Sequence, residues 1–288
     1  MSGVLALDPA LPVLLRPDGA VQVGWDPRRA VRVVPPDGLS AAGLAEVLRA
    51  LPHPDVMRLA ARHGLADGPG FEAMLAGLTA AGVLRDGAAR RGGRALSIRV
   101  HGRGPLSGLL AEGLRCSGAR VGQTSHPNVA GRAGGVDLVV LADALVEDPR
   151  LVRDLQSAGV AHLPVRVRDG TGLVGPLVIP GVTSCLRCAD LHRTDRDPAW
   201  PALATQLREV VGTADRATLL ATAALALGQL QRIIAAVRGG AVPGDPPATF
   251  DTTWELDLAG QSLRARRWSR HPLCRCWDTA AVMASRQE

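Results

Sequence analysis

Four of the five cysteines stand in two tight pairs, Cys185-Leu186-Arg187-Cys188 and Cys274-Arg275-Cys276. A C-x2-C step on a turn lets two thiolates reach one ion at about 2.3 Å, and two such pairs make a tetrahedral zinc site. C-x-C is less usual, but a turn between its cysteines aims both sulfurs the same way, and Pro272 just upstream suits a rigid turn. Four thiolates leave no open coordination position, so the expected zinc is structural. A redox-active C-x-x-C is the first alternative, but it does not explain the second pair. Disulfides are the second. Met1–Asp8 carries neither a basic start nor a long apolar run, so reduced thiols in a cytoplasmic protein are expected. Cys116 is left over, read as a small buried apolar residue in a helix or, less readily, as a nucleophile.

The second candidate chemistry is at Gly102-x-Gly104-x-x-Ser107, which follows a predicted strand and opens a helix. That context suits a nucleotide loop: one glycine for the tight turn, one for phosphate approach, and a small third residue. The bland reading is a tight turn that holds no phosphate. A ribose-binding carboxylate belongs about 20 residues on, yet Val121–Asn128 contains none. Asp143 ends the next strong apolar run, where it could meet magnesium or phosphate, or cap the following helix.

The elements around these residues divide the chain. Strands at 12–16, 20–25 and 30–34, with a Pro17-Asp18-Gly19 turn, precede helices at 40–51, 54–63 and 70–81. Three strands and three helices in residues 1–86 resemble a winged helix, and Arg85–Arg94 reads as a linker. From Ala95 to the end, strands at 95–100, 119–122, 136–141, 161–167 and 172–179 alternate with helices at 109–117, 149–158 and 214–237. A hairpin over 249–258 and 261–268 closes the series, and Gly239-Gly240 stops the long helix. This order predicts an α/β fold with a mostly parallel, doubly wound sheet.

Of the 288 residues, 47% are hydrophobic, which is ample for a core, and no 18-residue window is uninterruptedly apolar, so no membrane helix is expected. The net charge of +6 comes with no lysine at all, every cation being arginine. Residues 1–90 hold nine arginines and nine carboxylates, a poor balance for gripping phosphates. The basic cluster Arg264, Arg266, Arg267 and Arg270 with Trp268 reads better as the solvated face of a hairpin than as a nucleic-acid site.

The order of elements resembles the ThiF/MoeB-type, ubiquitin-activating-enzyme-like adenylyltransferase superfamily. A glycine loop, a strand ending in Asp143, a Pro-Leu-Val run into Cys185-x-x-Cys188 and a second cysteine pair carry it. Within that group the chain looks most like the actinobacterial branch that accompanies azole-forming (TOMM) peptide cyclodehydratases. The carriers are Cys185-Leu-Arg-Cys-Ala-Asp-Leu-His192, which runs on to Trp200-Pro201, and His271-Pro-Leu-Cys-Arg-Cys276-Trp277. The resemblance implies a winged-helix clamp for the leader of a ribosomally made precursor peptide, a partner modifying enzyme, zinc, and often a dimer. For active members it also implies ATP with magnesium at Gly102, Gly104, Ser107 and Asp143, with an arginine and a lysine after the second strand.

Here only 13 residues separate Gly122 from Val136, Arg132 is their one cation, and lysine is absent. Arginine is a planar fork, not a compact ammonium. A binding module with adenylation lost is therefore the favoured expectation, and an active peptide- or carrier-protein-adenylating enzyme the alternative. In the module reading, strand 30–34 accepts an extended peptide and helix 70–81 lines the groove; the plain alternative is a unit that only packs on the main domain. His192, Trp200 and Trp277 flank the metal motifs, either packed over the site or as ordinary core.

Overall fold

Valines alternate along the first strands: Val21 and Val23 are buried on either side of Gln22, and Val13 and Val33 join them. That period of two builds one apolar face on an antiparallel meander of β2 (Val13–Leu15), β3 (Val21–Val23) and β4 (Val31–Val33), in the order β2-β3-β4. The computed structural model describes residues 5–53, 55–66, 68–86, 95–125, 135–208, 210–237 and 247–277. Packing divides the chain into two units, Met1–Gly93 and Arg94–Glu288.

In the first unit, α1 (Ala41–Arg49), α2 (Val56–Arg62) and α3 (Gly68–Ala80) follow the meander. Ser40 Oγ caps α1 through the Gly43 N–H at 3.0 Å, and Asp55 Oδ1 caps α2 through Arg58 at 2.9 Å. Leu44, Leu48, Phe71 and Leu78 close on the valine face. A further ribbon escaped the sequence reading. β1 (Leu5–Leu7) pairs antiparallel with β5 (Leu84–Asp86), so Arg85 belongs to a strand and not to a linker. Fully buried Leu84 explains the ribbon: the core extends past α3.

The second unit carries a seven-stranded sheet, β12-β11-β10-β9-β8-β6-β7, among the described residues. β6 (Ser97–His101), β7 (Arg120–Thr124), β8 (Leu138–Ala142) and β9 (Ala161–Arg168) run parallel. β10 (Thr171–Val174), β11 (Thr252–Asp257) and β12 (Ser262–Arg267) extend β9 as an antiparallel meander. β8 is buried along its whole length, as a central parallel strand requires. Leu138 and Val140 face a cluster under α4 (Pro105–Arg115) and α8 (Arg216–Val237). Val139 and Leu141 face the opposite cluster with α5 (Pro149–Ser157) and the four paired cysteines.

Several boundaries moved. α4 starts at Pro105, four residues earlier than predicted, because proline is preorganised for a first helical position and Leu106 is fully buried. The strand expected over 172–179 stops at Val174. Helices α6 (Leu186–Arg196) and α7 (Trp200–Leu207) were not foreseen. Cys116, expected buried, is exposed at the C-terminus of α4. Among the described helices α8 alone is long and apolar enough to cross a membrane; Ala223, Ala226 and Leu230 instead sit in the core. Pro54, Gly239-Gly240, Arg132, His126–Asn128 and all of 87–94 lie outside the described residues, as does the Trp277 side chain.

Candidate functional site

β6 has β7 on one side and β8 on the other, so the chain leaves β6 and β8 in diverging directions and a crevice opens at their C-terminal ends. The glycine loop follows β6 and Asp143 follows β8, so the fold brings Gly102, Gly104, Ser107 and Asp143 together. Gly104 is the N-cap of α4 and supplies no side chain. The bare N–H groups there would suit an anion. The anion present is the chain's own. Asp143 Oδ2 accepts from Gly104 N–H at 2.7 Å and Ser107 N–H at 3.3 Å, and Oδ1 from Leu106 N–H at 2.8 Å. Ser107 Oγ turns away to donate to the Gly104 carbonyl at 2.8 Å.

The glycines fit this plug closely. A Cβ on Gly102 would stand 2.6 Å from Asp143 Oδ2, and one on Gly104 would stand 2.7 Å from Asp143 Oδ1 and 2.7 Å from Val211 Cγ1. Asp143 is 1% exposed and its backbone is left-handed, with φ of 76°. Its N–H donates to Val165 O at 3.0 Å and its carbonyl accepts from Gly212 at 2.9 Å. The strain of that conformation is therefore held by pairing on both sides. The expectation that Asp143 might cap the next helix is corrected: Asp148 caps α5, accepting from Arg150 N–H at 2.8 Å. Beside the plug lies a cavity of about 400 Å³ lined by His101, Arg103, Asp148, Arg208 and Val210. Burial, then the charges of Arg103 and Arg99, depress the His101 pKa.

The four paired cysteines converge on the other side of the sheet. Cys185 caps α6 and Cys188 stands in its first turn; Cys274 and Cys276 approach from the C-terminal segment. Sulfur separations are 3.7 Å for Cys185–Cys188 and 3.5 Å for both Cys185–Cys274 and Cys188–Cys276. All four ligand atoms lie within 4.8 Å of one another and all four residues are buried. Tetrahedral zinc with bonds of about 2.3 Å sets sulfurs about 3.8 Å apart, so the set fits that ion. Hydrogen bonds from Cys185 and from the His271 N–H pull Cys188 down to about 4, and burial pushes Cys276 up to about 12. Bound zinc would hold all four sulfurs as thiolates by its charge.

A latch aligns the second pair. Arg270 Nη2 donates to Gly181 O at 3.0 Å and Val182 O at 2.6 Å. His271 Nε2 meets Asp195 Oδ2 at 2.8 Å, while its Nδ1 accepts from Leu273 N–H at 3.1 Å. His192 does not reach a sulfur; its Nε2 meets Ser269 O at 3.0 Å, edge-on to the His271 ring. Trp200 joins Asp190 at 3.2 Å, and Arg193 stacks between Trp200 and Trp268. Trp268 is buried and Arg266 pairs with Glu255 at 2.8 Å, so part of the arginine cluster is spent on structure. Sequence reasoning missed Glu147 and Arg166, both 8% exposed. A lone arginine at an inward position of the apolar run Ala161–Val167 was the available signal.

No protein-family model matches the chain, and no curated protein matches its sequence. Solved structures do. A heterocyclase in complex with substrate and cofactor superposes with a TM-score of 0.68 at 15% identity, over 96% of this chain and 40% of that one. The heterocyclase TruD gives 0.65 at 15%, over 95% and 42%. E. coli MccB with MccA-N7isoASN gives 0.57 at 12%, over 95% and 99%. The chain therefore spans about two-fifths of the heterocyclases it matches and nearly all of MccB, and these likenesses establish a common fold.

Proposed function

We propose that this chain is a zinc-bearing, ThiF-like scaffold that binds the leader of a ribosomally made precursor peptide and supports a partner modifying enzyme of cyclodehydratase type, without adenylating anything itself. The observation that carries the silent-scaffold reading is the Asp143 carboxylate seated on the α4 N-terminus. Those three N–H groups are the donors a phosphate would need. Each charge-assisted bond is worth about 1.5–3 kcal/mol. A triphosphate would have to displace them and settle beside a buried carboxylate, in a chain with no lysine. Gly102, Gly104, Ser107 and Asp143 then form a structural joint, and Cys185, Cys188, Cys274 and Cys276 hold zinc as a clasp.

The peptide half of the reading rests on residues 1–86 and on the neighbours, which were solved with a substrate and with MccA. β4 is an edge of its meander among the described residues, and Val34 just beyond it is 63% exposed. An extended peptide can add to such an edge. Titration calorimetry of the full chain with ATP and magnesium tests the first half: no binding is expected, and ATP-dependent pyrophosphate exchange would establish the adenylyltransferase alternative instead. Fluorescence anisotropy with the leader of the precursor peptide encoded nearby tests the second. Binding is expected, weakened about tenfold by Val34→Asp, a loss of about 1.4 kcal/mol. Unaltered affinity in that variant would remove β4 from the reading.

A further inference from the structure

A second cavity of about 400 Å³ opens between α5, the start of α6 and the loop after β8. It is separate from the glycine-loop crevice, though Glu147 borders both. Leu145, Val152, Pro176 and Leu186 give it apolar walls. Its polar lining is unusual in what it leaves unmade. The Arg166 side chain, 8% exposed, has no hydrogen bond or ion pair within 4 Å among the described residues, although the charges of Glu147 and Asp190 act on it. Glu147 Oε1 is buried without a partner, and so are both amide atoms of Gln156. Buried polar atoms without partners cost about 1–3 kcal/mol each, and more when charged. Two such groups, with the Arg166 fork beside them, line a space in which an entering molecule could make the missing hydrogen bonds.

The charges say what enters. Arg153, Arg166, Arg187, Arg193 and Arg275 border the cavity against Glu147, Asp190 and three cysteines of the quartet, Cys185, Cys274 and Cys276, and Arg193 is already engaged by Asp190 at 2.8 Å. The deepest cation without a hydrogen bond is the Arg166 fork, whose planar pair of donors matches a carboxylate. The Gln156 amide offers a further donor. A phosphate dianion would face Glu147 at close range; a carboxylate would share a proton with it, since burial raises Glu147 to about 7. Apolar walls require that the rest of the molecule be apolar.

We propose that this cavity binds a monocarboxylate carried on an apolar body, with its carboxylate between the Arg166 guanidinium and the Gln156 amide. The site stands whether or not the chain binds a leader peptide. Two sources offer that chemistry: a free short-chain acid, or the C-terminal carboxylate of a peptide ending in an apolar residue. Titration calorimetry of the zinc-loaded full chain uses hexanoate and N-acetyl-leucine as probes, with hexanol, N-acetyl-leucinamide and inorganic phosphate as controls. Binding of at least one acid is expected, tenfold or more above its neutral counterpart. Preference for hexanoate assigns a free acid, and preference for N-acetyl-leucine a peptide terminus. Arg166→Gln is expected to abolish binding. Should that variant fail to fold, Gln156→Leu, on the half-buried face of α5, is expected to weaken it tenfold while zinc content stays unchanged. Absence of binding by both acids, equal binding of acid and neutral probes, or stronger binding of phosphate would each overturn the assignment.

Discussion

The glycine-loop crevice and the cysteine quartet are both assembled from distant pieces of chain, yet they treat charge in opposite ways. At the crevice, a helix N-terminus that could hold an outside anion is satisfied by Asp143 from 36 to 39 residues away. At the quartet, four buried sulfurs have chiefly one another and a few N–H groups for company. The first site is closed by the protein itself; the second has the geometry to be completed by an ion. Similar polypeptide geometry thus gives one motif an internal anion in one place and leaves room for an outside ion in the other.

The largest effect should come from attacking the quartet. Cys188→Ser removes one of the four sulfurs from a cluster that ties α6 to the C-terminal segment. Structural zinc contributes on the order of 10 kcal/mol in small domains, so a loss on the order of 5 kcal/mol is expected here. Elemental analysis should find about one zinc per parent chain and none in the variant, and the thermal transition of the second unit should broaden or vanish. An equally stable, zinc-free parent would show that the quartet is not a metal clasp.

Next in size is the plug. Asp143→Ala leaves three N–H donors unpaired at the start of α4, at a cost of about 3–5 kcal/mol. The more telling readout is rescue. Inorganic phosphate at millimolar concentration should raise the melting temperature of the variant, because it can now occupy the vacated donors, and should leave the parent unmoved. Equal stabilisation of both proteins would mean that phosphate and Asp143 do not compete.

This difference explains what the sequence could tell. Cysteine spacing is a local pattern with one dominant physical use, so Cys185, Cys188, Cys274 and Cys276 were recognisable as one site. The glycine loop and Asp143 were also visible, but their relation was not, because the chain says nothing of where a side chain turns after a left-handed residue. Strong apolar runs such as Leu138–Ala142 gave the parallel strands directly. The β1–β5 ribbon was hidden because three-residue strands carry almost no period. Helix α6 was hidden by the metal motif that starts it, and its polar composition supplies little apolar stripe. Arg166 and Glu147 needed the fold, since only packing shows that two ordinary charged residues border one cavity.

Smaller than either loss is a pH effect that separates the buried groups. Burial raises Glu147 from 4.5 to about 7 and lowers His162 from 6.5 to about 4. Between about 4.5 and 7 the folded chain keeps a proton on Glu147 that the unfolded chain releases. Stability therefore falls as pH rises through that window, by about 3 kcal/mol in all. His162 acts oppositely: between about 4 and 6.5 the unfolded chain binds the proton and the folded chain does not, so stability rises with pH. Across 4.5 to 6.5 the two nearly cancel. Glu147→Gln should stabilise the protein by about 2–3 kcal/mol at pH 8 and expose the His162 rise below pH 6.5. Urea midpoints measured at pH 4, 6 and 8 check both signs. A variant no more stable than the parent at pH 8 would mean that Glu147 is not held against its charge.

The smallest effect probes how far the clasp extends beyond its sulfurs. Asp195 is 60% exposed, so its pair with His271 is screened and contributes little to stability directly. Its leverage is positional. Asp195 fixes the His271 ring, the ring accepts the Leu273 N–H, and the His271 backbone N–H points at Cys188. Partners that orient ligands commonly change metal affinity by 10- to 100-fold when removed; for an exposed pair we expect the low end, about tenfold. Asp195→Asn keeps the shape and one acceptor, whereas Asp195→Ala keeps neither. Competition with a chromophoric zinc chelator should therefore rank the parent above Asn and Asn above Ala, with melting temperatures within a few degrees of one another. If both variants hold zinc as the parent does, the clasp ends at the four sulfurs, and the contrast with the crevice, where a single carboxylate decides the site, becomes sharper still.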